Sequence, residues 1–267
     1  MTNRHESIEG RYGPWAVVTG ASEGIGKSFA SALARRGFHL VLVARRAQLL
    51  DALAANLAQD HGRRCEVLVA DLSTAEGVAT VLERTKQHDV GLVVCSAGFG
   101  TAGPFLEGDV GQELEMLQVN CAATAALSWG FGRRLASRGR GGLILLSSLV
   151  AFQGVPRTAH YAATKSYVQT LAEGLRVEWA DRGIDVLAVA AGPVGTGFAR
   201  RARMNMGRAE SPDVVALESL DALGRRGTVR PGLLAKVLGY SLAMTPRWGR
   251  IRIMAMVMRG MTKHHAT

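Results

Sequence analysis

"WAVVTGASEGIG" (residues 15–26) decides the fold. Its first half is apolar and β-branched and reads as a strand over 15–20. Glycines then fall at 20, 24 and 26, and a helix is expected from about Gly24 to Arg36. A strand that turns through glycine straight into a helix opens a strand–helix–strand unit. Glycines in such a turn let the backbone approach a pyrophosphate, while free N–H groups and the helix dipole hold negative charge. Many turns use glycine only for a positive φ. The position of this one, between first strand and first helix, gives it a functional reading.

The same alternation continues outward. "HLVLVA" (39–44), "CEVLVAD" (65–71), "VGLVVCSAG" (90–98), "GGLILLSS" (141–148) and "IDVLAVAAG" (184–192) read as strands. Helical patterns lie between them, including 47–60 and a long one from about Val110 to Arg138. The strands are apolar throughout rather than alternating, as expected when helices cover both faces of a parallel sheet. The fold class is therefore α/β, a single-domain Rossmann fold with a doubly wound parallel sheet. Residues 1–13 read as an N-terminal extension. Residues 14–232 form the dinucleotide-binding and catalytic domain, and 233–267 a basic amphipathic helical extension.

Composition removes other classes. The chain has 267 residues, 48% hydrophobic and 20% charged, which describes a soluble globular protein. Cys65, Cys95 and Cys121 are odd in number and widely spaced, which argues against a disulfide framework or a zinc site. The polar N-terminus lacks a signal-peptide core, and no apolar run reaches the roughly 20 residues that span a bilayer. A cytoplasmic location is expected. The net charge of +10 is concentrated at the C-terminal end: nine Lys or Arg and no Asp or Glu follow Asp221. That pattern suggests an anionic surface or ligand, and no nucleic-acid motif accompanies it.

"TGASEGIG" (19–26), with its leading Thr and its Gly-x-x-x-Gly-x-Gly spacing, resembles the fingerprint of the short-chain dehydrogenase/reductase family. The family's other marks follow in order. The resemblance assigns Gly20, Ser22, Glu23, Gly24, Ile25 and Gly26 to the cofactor's phosphates. It places Asp71 and Leu72 at the adenine ring, and Ser96, Ala97 and Gly98 of "CSAG" (95–98) in place of an Asn-Asn-Ala-Gly. "AGPVGT" (191–196) resembles the family's Pro-Gly motif with Ala191 in place of the first Pro, and implies nicotinamide contacts from Val194 and Thr196. Asn120 falls where the family has its catalytic Asn, and Ser148 lies thirteen residues ahead of Tyr161. The stretch "YGPWAVVTGASEGIGKSFASALA" (12–34) is similar to the branch of 3-ketoacyl-CoA reductases and 17β-hydroxysteroid dehydrogenases.

Tyr161 and Lys165 in "HYAATKSYV" (160–168) are four residues apart and share one helical face. Reduction of a ketone needs a hydride at carbon and a proton at oxygen. A phenol with a pKa near ~10 shuttles protons poorly at neutral pH unless something favours the phenolate. The Lys165 ammonium is expected to lower the Tyr161 pKa and to bind the nicotinamide ribose. Ser148 would steady the substrate oxygen. Asn120, by resemblance, would fix the helix and a water leading to Lys165. Tyr161 is thus the general acid/base of a catalytic set with Asn120, Ser148 and Lys165. The adjacent His160 is expected to point off this face.

The end of the second strand lacks the carboxylate that grips the adenosine hydroxyls of NAD, and Arg45 and Arg46 follow Ala44. Guanidinium groups there suit a 2′-phosphate, hence NADP(H). Glu23 departs from this, since NADP-preferring relatives often carry a basic residue there. Substrate contacts are expected from Ser148, Val150, Phe152, Tyr161 and Phe198. Val155, Met204 and Met206 add an apolar slot, and Arg200, Arg201, Arg203 and Arg208 a handle for an anionic group. The expected partner is a lipophilic small-molecule ketone or alcohol, fatty-acyl or steroid-like, and not nucleic acid. The basic tail reads either as helices capping the pocket and covering the sheet edge or as a peripheral membrane contact. A homodimer or homotetramer is implied by the resemblance. The alternatives are a non-catalytic NADP-sensing or scaffold protein of this fold, and a nucleotide-sugar epimerase or dehydratase.

Overall fold

A computed structural model describes residues 7–202, 204, 207 and 209–262. Arg203, Met206 and Arg208, named above, and Lys263, one of the nine basic residues of the C-terminal stretch, lie outside the described residues. The elements in chain order are α1 (Ile8–Tyr12), β1 (Trp15–Thr19), α2 (Gly24–Arg35), β2 (His39–Ala44), α3 (Ala47–His61), β3 (Cys65–Val69), α4 (Ala75–Arg84) and β4 (Val90–Cys95). Then come α5 (Val110–Leu117), α6 (Thr124–Arg138), β5 (Gly141–Ser148), α7 (Ala159–Glu178), β6 (Ile184–Ala191), α8 (Gly197–Arg201), α9 (Pro212–Ala222), β7 (Thr228–Val229), α10 (Leu233–Ala243) and α11 (Arg247–Met261).

The seven strands form one sheet in the order β3-β2-β1-β4-β5-β6-β7, every pairing parallel. Successive side chains point to opposite faces. Leu40 and Leu42 of β2 join one core with Phe29 and Leu33 of α2, Leu50 and Leu53 of α3, and Val215 and Leu220 of α9. Val41 and Val43 join another with Val81 of α4, Leu127 and Phe131 of α6, and Val168 of α7. Both faces are dry, so the strands could not alternate apolar with polar. Each such Leu, Val or Phe contributes about 1.5–3 kcal/mol, whereas exposed ion pairs contribute about 0–1. The two cores hold the fold.

The chain turns to opposite sides after β1 and after β3, so a crevice opens beyond the carboxyl ends of β1 and β4. The segment ahead of β1 is tied down: Tyr12 is buried and donates to Asp185 of β6 at 2.7 Å, with Arg11 paired to the same carboxylate at 2.6 Å. The helical stretch from Val110 to Arg138 is not uniform. A π-helical segment, Gln118–Ala123, joins α5 to α6 and holds Asn120.

Candidate active site

The turn after β1 is built around close backbone approach. Gly20 has φ +67°, and a Cβ there would stand 2.9 Å from the backbone of Ala97. A Cβ on Gly26 would run into the Gly20 carbonyl. Thr19 fixes the neighbouring turn, its hydroxyl accepting from the N–H groups of Ser96 (3.0 Å) and Ala97 (3.1 Å). Among the described residues no side chain caps the start of α2 or of α3, which leaves first-turn N–H groups open to an anion. These residues fit the phosphates of a dinucleotide.

Arg46 stands at the N-cap of α3 and donates to Ser22 at 2.8 Å and to Glu23, whose carboxylate lies 3.1 Å away. Glu23 is thus the partner that aims Arg46, which accounts for the acidic residue in the turn. Arg45 reaches Glu115 at 3.3 Å and Asp71 at 3.7 Å. Asp71 is held below the usual carboxylate range, first by the Ser73 backbone N–H and also by Arg45. All of these groups are partly exposed, so their pairings yield readily to a stronger anion.

At the other end of the crevice lie Ser148, Tyr161 and Lys165. Ser148 ends β5 with its hydroxyl 3.3 Å from the Ala191 carbonyl. Tyr161 and Lys165 share a face of α7. The Lys165 ammonium nitrogen is 5.8 Å from the Tyr161 ring centroid and donates to the Leu146 carbonyl at 2.7 Å. Asn120 is buried behind them and does not line the cavity. Its amide donates to the Phe99 carbonyl (2.9 Å) and to the Thr164 hydroxyl (3.0 Å), while its oxygen accepts from the Phe99 N–H (3.1 Å). It ties the β4 loop to α7. Gly98 stands against Asn120 and Lys165, since a Cβ there would be 2.8 Å from the Asn120 oxygen. It therefore stands at the end of the crevice that holds Lys165. His160 lies off this face, its ring 6.5 Å from that of Phe105.

The electrostatics correct one expectation. Burial pushes the Tyr161 phenol up to about 12, and the group that opposes this is the Ser148 hydroxyl, not Lys165. Burial also brings the Lys165 amine down to about 8. An amine brought down to about 8 has lost its charge before a phenol at about 12 ionises, so it does not assist that ionisation.

A cavity of about 740 Å³ joins the two ends. Gly20, Ser22, Glu23, Gly24, Ile25, Gly26, Arg45, Arg46, Asp71, Leu72, Ser96, Ala97, Gly98, Val194 and Thr196 all line it, together with Ser148, Val150, Tyr161, Lys165 and Phe198. The Phe198 ring packs 5.2 Å from that of Tyr161. Met204, Arg200 and Arg201 line it too. Phe152 does not. It packs with Leu149, Ala190 and Ala235 under the Arg230 guanidinium, and Val155 is buried with Ala162 and Met258.

The family model for short chain dehydrogenase matches residues 14–207. The chain belongs to the short-chain dehydrogenase family. A 7beta-hydroxysteroid dehydrogenase of Clostridium sardiniense is 32% identical over 84% of this chain and 87% of its own. A very-long-chain 3-oxoacyl-CoA reductase of Neurospora crassa is 31% identical over 74% of this chain and 61% of its own. The solved structure of a short-chain dehydrogenase from Sphingobium yanoikuyae in complex with NADPH superposes with a TM-score of 0.78 at 30% identity, covering 86% of this chain and 93% of that one. This short-chain dehydrogenase is thus an oxidoreductase of hydroxyl and carbonyl groups that uses a nicotinamide dinucleotide, in the branch its sequence resembles.

The contribution of the last two helices to this dehydrogenase's cavity was not located residue by residue in the sequence. Leu238, Ser241, Leu242 and Thr245 of and just after α10, and Ile253, Met254, Val257, Met258 and Met261 of α11, roof the cavity. Their spacing at three and four residues is a helical face, and that periodicity was the available signal. The pocket-capping expectation for the tail describes these helices. Among the described residues no helix is long and apolar enough to cross a membrane.

Proposed function

We propose that this dehydrogenase reduces a ketone on a lipophilic substrate to a secondary alcohol, or the reverse, with NADP(H). The observation that carries this reading is the single cavity in which the Ser148 and Tyr161 side chains share a wall with Phe198 and a roof of leucine and methionine. A bound nicotinamide ring supplies or takes up the hydride. Tyr161 gives a proton to the substrate oxygen in reduction and removes it in oxidation. A phenol near 12 is protonated at neutral pH, the state that reduction requires. Ser148 donates to the same oxygen as charge develops. Lys165 binds the dinucleotide's ribose, and Asn120 positions Lys165 and α7. The relatives named above act on a hydroxysteroid and a 3-oxoacyl thioester by their names, which supports substrates of that class. Rates of NADPH consumption over ketosteroids, long-chain 3-oxoacyl thioesters and small ketones test the reading. Turnover confined to small polar ketones would overturn the lipophilic assignment.

The preference for NADP(H) follows from Arg45 and Arg46 at the uncapped start of α3. Losing both guanidinium groups in Arg45→Ala/Arg46→Ala is expected to raise the KM for NADPH about ten- to hundredfold and to leave that for NADH within about twofold. A parent protein that prefers NADH in steady-state rates would reject the assignment. A homo-oligomer is supported by exposed Leu114, Trp129 and Tyr167 on α5, α6 and α7, and light scattering of the purified protein checks it.

A further inference from the structure

The two helices that roof the cavity carry a second face turned away from it. Along α10 and its C-cap, Leu233, Val237, Tyr240 and Met244 recur at one helical stripe and are 76%, 57%, 60% and 88% exposed. On α11, Trp248, Arg252, Met256 and Arg259 form the outer stripe, with Trp248 64% and Met256 76% exposed. The cavity-lining residues of both helices lie on other faces. Large apolar side chains are thus presented to solvent beside guanidinium groups, over two consecutive helices.

The charge on this face is of one sign. Lys236 is paired with Glu218 at 2.8 Å. Arg250 is occupied with the end of α10, donating to the carbonyls of Thr245 (2.8 Å) and Ala243 (3.0 Å). The Arg252 guanidinium lies 5.2 Å from the Trp248 ring. Among the described residues neither Arg252 nor Arg259 meets a carboxylate, and the sequence offers none after Asp221.

We propose that this outer face docks on an anionic lipid bilayer, its apolar side chains entering the acyl boundary and its arginines meeting lipid phosphates. Each of the two helices carries a row of exposed large apolar side chains, and exposed apolar surface of that kind marks an interaction site. A second copy of the chain fits it poorly, because a two-fold contact sets each face against itself and opposes arginine to arginine with no carboxylate between. Anionic headgroups supply the missing charge. Leu238, Ile253 and Val257 line the cavity and are also partly exposed at the rim of this face. A docked molecule therefore holds the cavity's rim against the bilayer. The inference rests on the surface of α10 and α11 alone and stands apart from the reductase reading.

The test is co-sedimentation of the full chain with phosphatidylcholine vesicles, with and without phosphatidylglycerol. Binding is expected only with the anionic lipid and is lost at high salt. Met244→Glu/Met256→Glu and Arg252→Glu/Arg259→Glu should each lower partitioning at least about tenfold, with folding checked by circular dichroism and NADPH titration. Should the paired variants misfold, brominated lipids provide the second measurement: they should quench the parent's fluorescence, and the quenching should vanish in Trp248→Phe. Absence of binding to anionic vesicles at low salt, or folded variants that bind like the parent, would overturn the proposal. So would a parent dimer, seen by light scattering, that Met244→Glu/Met256→Glu dissolves, since that assigns the face to a second copy.

Discussion

Replacing Tyr161 by Phe is expected to lower kcat/KM for ketone reduction about 10²–10⁴-fold while the Kd for NADPH stays within about twofold. The size follows from what the hydroxyl alone does. Its ring packs against Phe198 and beside Gly100, where a Cβ would come 2.9 Å from the Tyr161 ring. Phe keeps that ring, so the fold and the dinucleotide cleft persist. What disappears is the proton for the substrate oxygen. Ser148 cannot replace it, because a serine hydroxyl donates a hydrogen bond without giving up its proton at this pH. Stopped-flow hydride transfer measured beside a fluorescence titration with NADPH separates the two effects. A variant that keeps more than about a tenth of the parent rate would show that the proton comes from elsewhere.

The strands were legible because a doubly covered sheet writes itself as apolar runs. β2 and β5 end where the runs at 39–44 and 141–148 end. The other predicted strands ran past the sheet by one to three residues, into the loops at the carboxyl ends that carry Gly20, Asp71 and Ser96. Those loops line the cavity, and the apolar runs continue into them without marking where the sheet ends. β7 could not be read at all. It is two residues long and exists only because Ala188 and Val189 of β6 offer it an edge. The π-helical segment around Asn120 was equally hidden, since one extra residue per turn barely disturbs an apolar period. It matters because it sets the Asn120 side chain between Phe99 and Thr164.

Motifs in order named residues most of which line one cavity, but the energetics of these groups were not legible. Spacing put Tyr161 and Lys165 on one face, and the structure agrees. Spacing says nothing about desolvation, which arises from elements far away in sequence and which raises the Tyr161 phenol where Lys165 was expected to lower it. Phe152 was misplaced for a related reason. It lies in a short 3₁₀ turn after β5, where side-chain direction is set by Arg230 rather than by a helical period.

The altered Lys165 amine leads to the other large expected effect. With its pKa at about 8 in the free protein, the ammonium is present at pH 7 and mostly lost at pH 9. If the charged form binds the dinucleotide, binding takes up a proton above pH 8, and by linkage the affinity falls up to about tenfold per pH unit there. The Kd for NADPH is therefore expected to be flat from pH 7 to about 8 and then to rise. Lys165→Met should abolish that step and lower kcat/KM about 10²–10³-fold, since the cation that orients the ribose is gone. The same group marks the fold's own pH dependence. Its folded pKa lies below the unfolded value of 10.5, so the unfolded chain keeps the proton longer, and stability contributed by this site rises as pH climbs from about 8 through 10.5. The buried thiols of Cys65, Cys95 and Cys121 work in the opposite sense above their unfolded value of 9.0, and Tyr161 above its own of 10.0, so the rise due to Lys165 is opposed from about pH 9. A parent Kd for NADPH that does not change between pH 7 and 9.5, measured where circular dichroism reports a folded protein, would mean that the neutral amine binds equally well. The charge at Lys165 would then have no part in holding the dinucleotide.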